Sequence, residues 1–125
     1  MRRGEFDLIK EVFAPLCDNS FALGLLDDAA VIPAEKNTET VISTDTLVAD
    51  VHFFLYEKPE IIARRLLRVN LSDIASMGGE PSGYFLNLTL PLWIDDKWLL
   101  EFADGLRLEQ DEFGMTLLGG DTTHT

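Results

Sequence analysis

Gly83-Tyr84-Phe85-Leu86-Asn87-Leu88-Thr89-Leu90-Pro91 is the stretch on which the fold turns. Its loose alternation of apolar and polar residues reads as a buried strand, and Pro91 ends it. Downstream, Leu99, Phe102, Ala103, Leu106 and Phe113 recur at helical spacing, which predicts a helix from about Asp95 to Phe113 capped by Gly114. Met115 to Leu118 then reads as a last apolar strand, with Gly119-Gly120-Asp121 and a polar, turn-like end after it. Upstream, Pro59 suits a first helical position. The helix it opens carries Ile62, Leu66, Leu67, Val69, Ile74 and Met77 as its apolar stripe, and Gly78-Gly79 stops it. Nearer the N-terminus, Phe6, Ile9, Val12, Phe13 and Leu16 fall at helical spacing, limited by Pro15. Ala29 to Pro33, Thr40 to Thr44 and Val51 to Leu55 read as short strands. The expected class is α+β: a small mixed or antiparallel sheet covered on one face by two long helices. Tyr84, Phe85, Leu86 and Leu88 are candidates for an apolar outer face, which a second copy of the chain would bury as a homodimer.

Composition narrows the function classes. The chain has 125 residues, 46% hydrophobic and 26% charged, within the range of one globular domain. Twenty-two acidic against ten basic residues give a net charge of −12, which argues against a direct grip on nucleic acid or an anionic membrane. The single cysteine, Cys17, excludes an internal disulfide and a thiolate zinc site. No signal-peptide core follows Met1, and the longest apolar run, Phe21 to Leu26, is too short to span a bilayer. The expected compartment is the cytoplasm.

Four segments place acids beside small or hydroxyl residues: Asp27-Asp28-Ala29-Ala30, Ser43-Thr44-Asp45-Thr46, Asn70-Leu71-Ser72-Asp73 and Gly119-Gly120-Asp121-Thr122-Thr123. Carboxylates and hydroxyls are hard donors that suit Mg²⁺ and Ca²⁺, and Mg²⁺ often keeps substrate phosphates in its remaining positions. Taken one at a time, the first and fourth segments read more readily as turns, and the second equally as a turn. Asp73 differs, because it borders the apolar stripe of its helix and a buried carboxylate needs a partner. His52, between Val51 and Phe53, reads more readily as a structural histidine than as a catalytic base. Arg64, Arg65 and Arg68 form the only basic cluster and read as a solvated face, with phosphate binding the alternative. Neither a lysine-bearing phosphate loop nor a dinucleotide fingerprint is present, so a nucleotide would be held by the acids through metal.

In order, Gly4-Glu5-Phe6, Asp27-Asp28-Ala29-Ala30, Ser43-Thr44-Asp45-Thr46-Leu47-Val48, Val51-His52-Phe53, Val69-Asn70-Leu71-Ser72-Asp73 with Met77-Gly78, Leu88-Thr89-Leu90-Pro91 and Gly119-Gly120-Asp121-Thr122-Thr123 form a specific set. The chain resembles the N-terminal domain of the thiamine-monophosphate kinase family, within the aminoimidazole-ribonucleotide-synthetase-like superfamily. The resemblance implies Mg²⁺-dependent transfer of the ATP γ-phosphoryl to thiamine phosphate, giving thiamine diphosphate and ADP. It implies Asp28, Ser43, Thr44, Asp45, Asp73 and Asp121 as metal ligands, with Asp27 as a further candidate. It also implies Gly120 and Asp121 as ATP contacts, His52 as a thiamine-phosphate contact, and a homodimer built from the N-terminal domains. Leu26 and Asp50 stand where the family commonly has glycine, and His124-Thr125 where Arg-Gly is usual. Family members continue into a second domain, so residues 1–125 read as an N-terminal domain truncated before its last strand. Two other readings remain: a related ATP-dependent enzyme with another substrate, and a non-catalytic dimerisation or metal-binding fragment.

Overall fold

In the computed structural model, which describes residues 4–125, the N-terminal helical segment changes pitch along its length. It begins as α1 (Glu5–Leu8), widens to a π turn over Ile9–Phe13 and tightens to a 3₁₀ turn over Ala14–Leu16. Pro15 accounts for the change, since it donates no hydrogen bond and its ring crowds the carbonyl of Glu11 one turn back. Leu8, Val12, Phe13 and Leu16 are buried as the spacing predicts, whereas Phe6 points to solvent.

The two long helices follow the sequence closely. Helix α2 (Pro59–Ser76) has proline in its first turn and buries Ile62, Ala63 and Leu67. It ends where Gly78 turns left-handed at φ 71° and the Gly79 N–H bonds back to the Ile74 carbonyl at 3.0 Å. Met77, expected on the inner stripe, lies beyond the last turn and is exposed. Strand β1 (Gly83–Leu90) leads into helix α3 (Asp96–Phe113), and β2 (Thr116–His124) follows. Asp95 caps α3, its Oδ1 accepting the Trp98 N–H at 2.9 Å, and Gly114 ends it at φ 68°. Leu99, Phe102 and Leu106 of α3 are fully enclosed, while Phe113 reaches the surface.

β1 and β2 pair in parallel, from Gly83 opposite Thr116 to Leu90 opposite His124. The 18-residue helix between them carries the chain back to the end where it started, which makes the pair parallel. A register slip between Tyr84 and Phe85 leaves Leu118 as an extra residue, packed where Gly83 has no side chain. The polar end expected as a turn is instead strand as far as His124, because each of its residues finds a ladder partner on β1. Leu86, Leu88 and Leu90 face the core with Tyr84 half-buried beside them, so of the candidates for an apolar outer face only Phe85 lies there, with Asn87 and Thr89.

The segments at 29–33 and 40–44 enter no ladder among the described residues, and their apolar side chains are exposed. The expected strand at 51–55 is a compact turn with one bridge, Ala49 to Phe53. Asp50 explains it: its φ of 59° is left-handed, and its Oδ1 accepts the Leu55 N–H at 2.9 Å. A short polar side chain tolerates that conformation, which is how aspartate serves here in place of glycine.

Candidate functional site

Asp27 and Asp28 stand on a loop that the backbone closes at its base. Asn19 Oδ1 accepts the Phe21 N–H at 2.9 Å and starts a 3₁₀ segment, Ser20–Leu25. Leu23, Gly24 and Leu25 are all left-handed, at φ 52°, 68° and 58°. The Val31 N–H then returns to the Phe21 carbonyl at 2.8 Å. Buried Ala22 and half-buried Leu25 fasten the loop to the core. Leu26, the departure from glycine, is 89% exposed and leans away from the protein.

This loop borders a cavity of about 770 Å³ against the two strands. Its apolar wall includes Leu8, Phe13, Leu86 and Leu117, and Asp27, Asp28, Gly120 and Asp121 line it from the polar side. At Gly120, φ is 152° and a β-carbon would land on the Leu86 carbonyl oxygen. Only glycine lets β2 run this close to β1, and Gly120 itself lines the cavity. Asp121 lies opposite Asn87 in the ladder, and the hydroxyls of Thr89 and Thr123 meet at 3.0 Å two residues further on.

The other expected site residues, a second group, lie outside the lining of that cavity. Ser43 Oγ donates to Asp73 Oδ2 at 3.4 Å, joining residues far apart in sequence at the C-terminal end of α2. Asp73 is exposed, not part of the buried stripe, because it falls on the outer side of the last turns. Thr44 and Asp45 follow Ser43 on an exposed stretch. His52 lies in the 49–53 turn, where its Nδ1 accepts the Val48 N–H at 2.9 Å. That bond places the proton of the neutral ring on Nε2. Asp27, Asp28 and Asp121 thus share one cavity, while Ser43 and Asp73 meet each other and do not line it. Among the described residues, no three Asp, Glu, His or Cys side chains stand close enough to hold an ion by themselves.

The arginine cluster is neither a free solvated face nor an open phosphate site. Arg64 Nε and Arg68 Nε donate to the two oxygens of Glu109 at 2.8 and 2.9 Å, and the Glu109 side chain is completely buried. Burial alone would raise the Glu109 carboxyl, but hydrogen bonds and charge from Arg68 and Arg64 outweigh it and hold it below the ordinary glutamate value. Arg65 forms a two-pronged pair with Glu57 at 2.7 and 2.6 Å, and that hydrogen bonding, against a smaller desolvation effect, lowers the Glu57 carboxyl. A sign of the Glu109 pairing was available in the sequence. Glu109 continues the Phe102-Leu106 stripe at helical spacing, and an acid on a buried face requires a cation.

Three comparisons relate the chain to known proteins. Residues 26–125 match the family model described as AIR synthase related protein, N-terminal domain. The chain is 41% identical over 125 residues to the thiamine-monophosphate kinase of Haemophilus influenzae, covering 98% of this chain and 38% of that protein. It is 45% identical over 122 residues to that of Caulobacter vibrioides, covering 97% of this chain and 35% of the relative. The crystal structure of thiamine-monophosphate kinase from Stenotrophomonas maltophilia superposes with a TM-score of 0.80 at 36% identity, over 100% of this chain and 40% of that one. The chain therefore spans a little over a third of the length of the relatives it matches. With four-fifths of its residues inside the family model and its whole length following a solved relative, this chain belongs to the AIR synthase related family through that family's N-terminal domain.

Proposed function

We propose that the chain is the cation- and nucleotide-holding N-terminal part of a cytoplasmic thiamine-phosphate kinase, which moves the ATP γ-phosphoryl onto thiamine phosphate to give thiamine diphosphate and ADP. The observation that carries this reading is the meeting of Asp27 and Asp28 with Gly120 and Asp121 around one cavity, from opposite ends of the chain. The names of the relatives supply the reaction and the substrates. Asp27, Asp28 and Asp121 on the cavity, and Ser43, Thr44, Asp45 and Asp73 in the second group, are the oxygen donors that would hold Mg²⁺. Their chemistry fits a hard cation whose remaining positions go to water or phosphate oxygens. Bound Mg²⁺ supplies charge neutralisation on the transferring phosphate, the main need of phosphoryl transfer. Gly120, beside Asp121 on the cavity lining, would set its backbone against a phosphate there. The Nε2–H of His52 is a donor suited to the phosphate of thiamine phosphate.

Given ATP, Mg²⁺ and thiamine phosphate, the 125-residue chain alone is expected to form no thiamine diphosphate, since its relatives are more than twice as long. Joined to the remaining C-terminal length of the Haemophilus influenzae relative in a folded chimera, it is expected to turn over. Asp121→Asn should then cost at least about 100-fold in kcat/KM, in line with loss of a group that steadies transition-state charge. Turnover by the chain alone, or a chimera indifferent to Asp121, would contradict the proposal.

The proposed assembly is a homodimer. Support comes from the apolar side chains left in solvent at Val31, Ile32, Ile42, Val51 and Phe54, with Phe85 on the outer face of the sheet. A two-fold interface would cover them. Light scattering at micromolar concentration is expected to give about twice the 14.0 kDa chain mass. A monomer mass would rule the assembly out.

A further inference from the structure

Apart from the cavity, a dense polar construction surrounds Asp18. Arg107 Nη1 reaches both Asp18 oxygens at 2.9 Å, and its other nitrogen donates to the Pro15 carbonyl. Gln110, 2% exposed, donates through Nε2 to the Leu16 carbonyl at 2.8 Å and to Asp18 Oδ2 at 3.0 Å. Its Oε1 accepts the Tyr84 hydroxyl at 2.7 Å. Thr116, 4% exposed, takes the Asp18 N–H on Oγ1 at 2.7 Å and donates to the Leu16 carbonyl at 3.2 Å. Residues 15–18 are thus tied to α3 and to the first residue of β2. A short irregular segment could be held by packing alone; here a buried amide and a buried hydroxyl are both spent on two residues of backbone. Immediately beyond them run the Asn19 cap, the left-handed turn at 23–25 and the Asp27-Asp28 loop. The strand that Thr116 opens carries Gly120 and Asp121.

We propose that Asp18 is a positioning residue, clamped by Arg107, Gln110 and Thr116 so that the Asp27-Asp28 loop keeps a fixed place against Gly120-Asp121 of β2. The inference rests on the kinase reading for what the two acid groups hold, and on the hydrogen bonds above for how they are held. The loop is fixed at its entrance by the clamp, in its middle by Ala22, and at its exit by the Phe21–Val31 bond. Releasing the entrance leaves the acids in place in sequence but not in space. Loss of such preorganisation appears as weaker cation binding more than as loss of fold.

Amide hydrogen exchange and Mn²⁺ binding, read by electron paramagnetic resonance, test this on the whole chain. Arg107→Met keeps the apolar stem and removes the ion pair, and Thr116→Val removes the hydroxyl at nearly constant shape. Both are expected to speed exchange at the Phe21–Val31 segment at least tenfold and weaken Mn²⁺ binding at least fivefold. Thr116→Ser, which keeps the hydroxyl, should restore both. Ala63→Gly weakens α2 away from the clamp, and is expected to lower the melting midpoint while leaving Mn²⁺ affinity unchanged. Unchanged affinity in the clamp variants, or equal weakening in Ala63→Gly, would overturn the positioning role. Absence of Mn²⁺ binding by the unaltered chain would instead overturn the kinase reading, and the inference with it.

Discussion

Gly105→Val is expected to cost about 3 kcal/mol of stability, seen as a fall in the urea midpoint without a change of slope. Two effects oppose each other at this position. In a helix, valine is intrinsically a few tenths of a kcal/mol better than glycine, so propensity alone predicts a gain. Packing predicts the reverse and is larger. Helices α2 and α3 approach so closely here that a β-carbon on Gly105 would sit 2.5 Å from the Glu60 carbonyl oxygen and 2.9 Å from the Ala63 β-carbon. The first obstacle is backbone and cannot rotate away, so one helix must move and uncover Leu99, Phe102 and Leu106. An unchanged or higher midpoint would mean that the helices slide apart freely.

Glu109→Ala is expected to cost about 2–3 kcal/mol near neutral pH, and Glu109→Gln somewhat less. The alanine leaves a void and removes the shared partner of Arg64 and Arg68. The figure sits below the usual cost of breaking a buried pair, because those arginine side chains are 37% and 48% exposed and can turn to water. The pH dependence has a definite sign. The Glu109 carboxyl is lower in the folded chain than its ordinary value of 4.5. Its stabilisation is therefore complete above that value and is lost as the pH falls through the folded one. Denaturation midpoints of the parent chain and Glu109→Gln should differ most at pH 6 to 7 and converge below about pH 4. Parallel curves across that range would show that the carboxylate charge contributes nothing.

The elements legible in sequence were those that bury a face within this chain. Pro59, Gly78, Asp95 and Gly114 are punctuation with local chemistry, so α2 and α3 could be bounded closely, and β1 ends at Leu90 as Pro91 requires. The segments at 29–33 and 40–44 have strand-like residues, but a strand needs a partner edge, and among the described residues none pairs with them. Alternation also could not tell which face of β1 is covered, since Phe85 and Leu86 are equally apolar; Leu86 is buried and Phe85 exposed because the core lies on one side only. At the site, the acids could be named from their neighbours, and the approach of Ser43 to Asp73 follows that grouping. Their division into two groups could not be read, because it depends on where irregular backbone runs. The Asp18 clamp was equally hidden, as it joins partners about ninety residues apart through an amide, a hydroxyl and a guanidinium that form no motif.

The claim that the cavity between the Asp27-Asp28 loop and Gly120-Asp121 takes a phosphate through a divalent cation is tested most directly by calorimetric titration of the chain with ATP. Without Mg²⁺, the acids and the nucleotide repel each other, and no heat of binding is expected. With millimolar-range Mg²⁺, saturable binding should appear. Asp28→Asn and Asp121→Asn, both exposed and so harmless to the fold, should each weaken it about tenfold or more, the loss of one charged contact. Binding of equal strength with and without Mg²⁺, or binding that survives both substitutions together, would contradict the account.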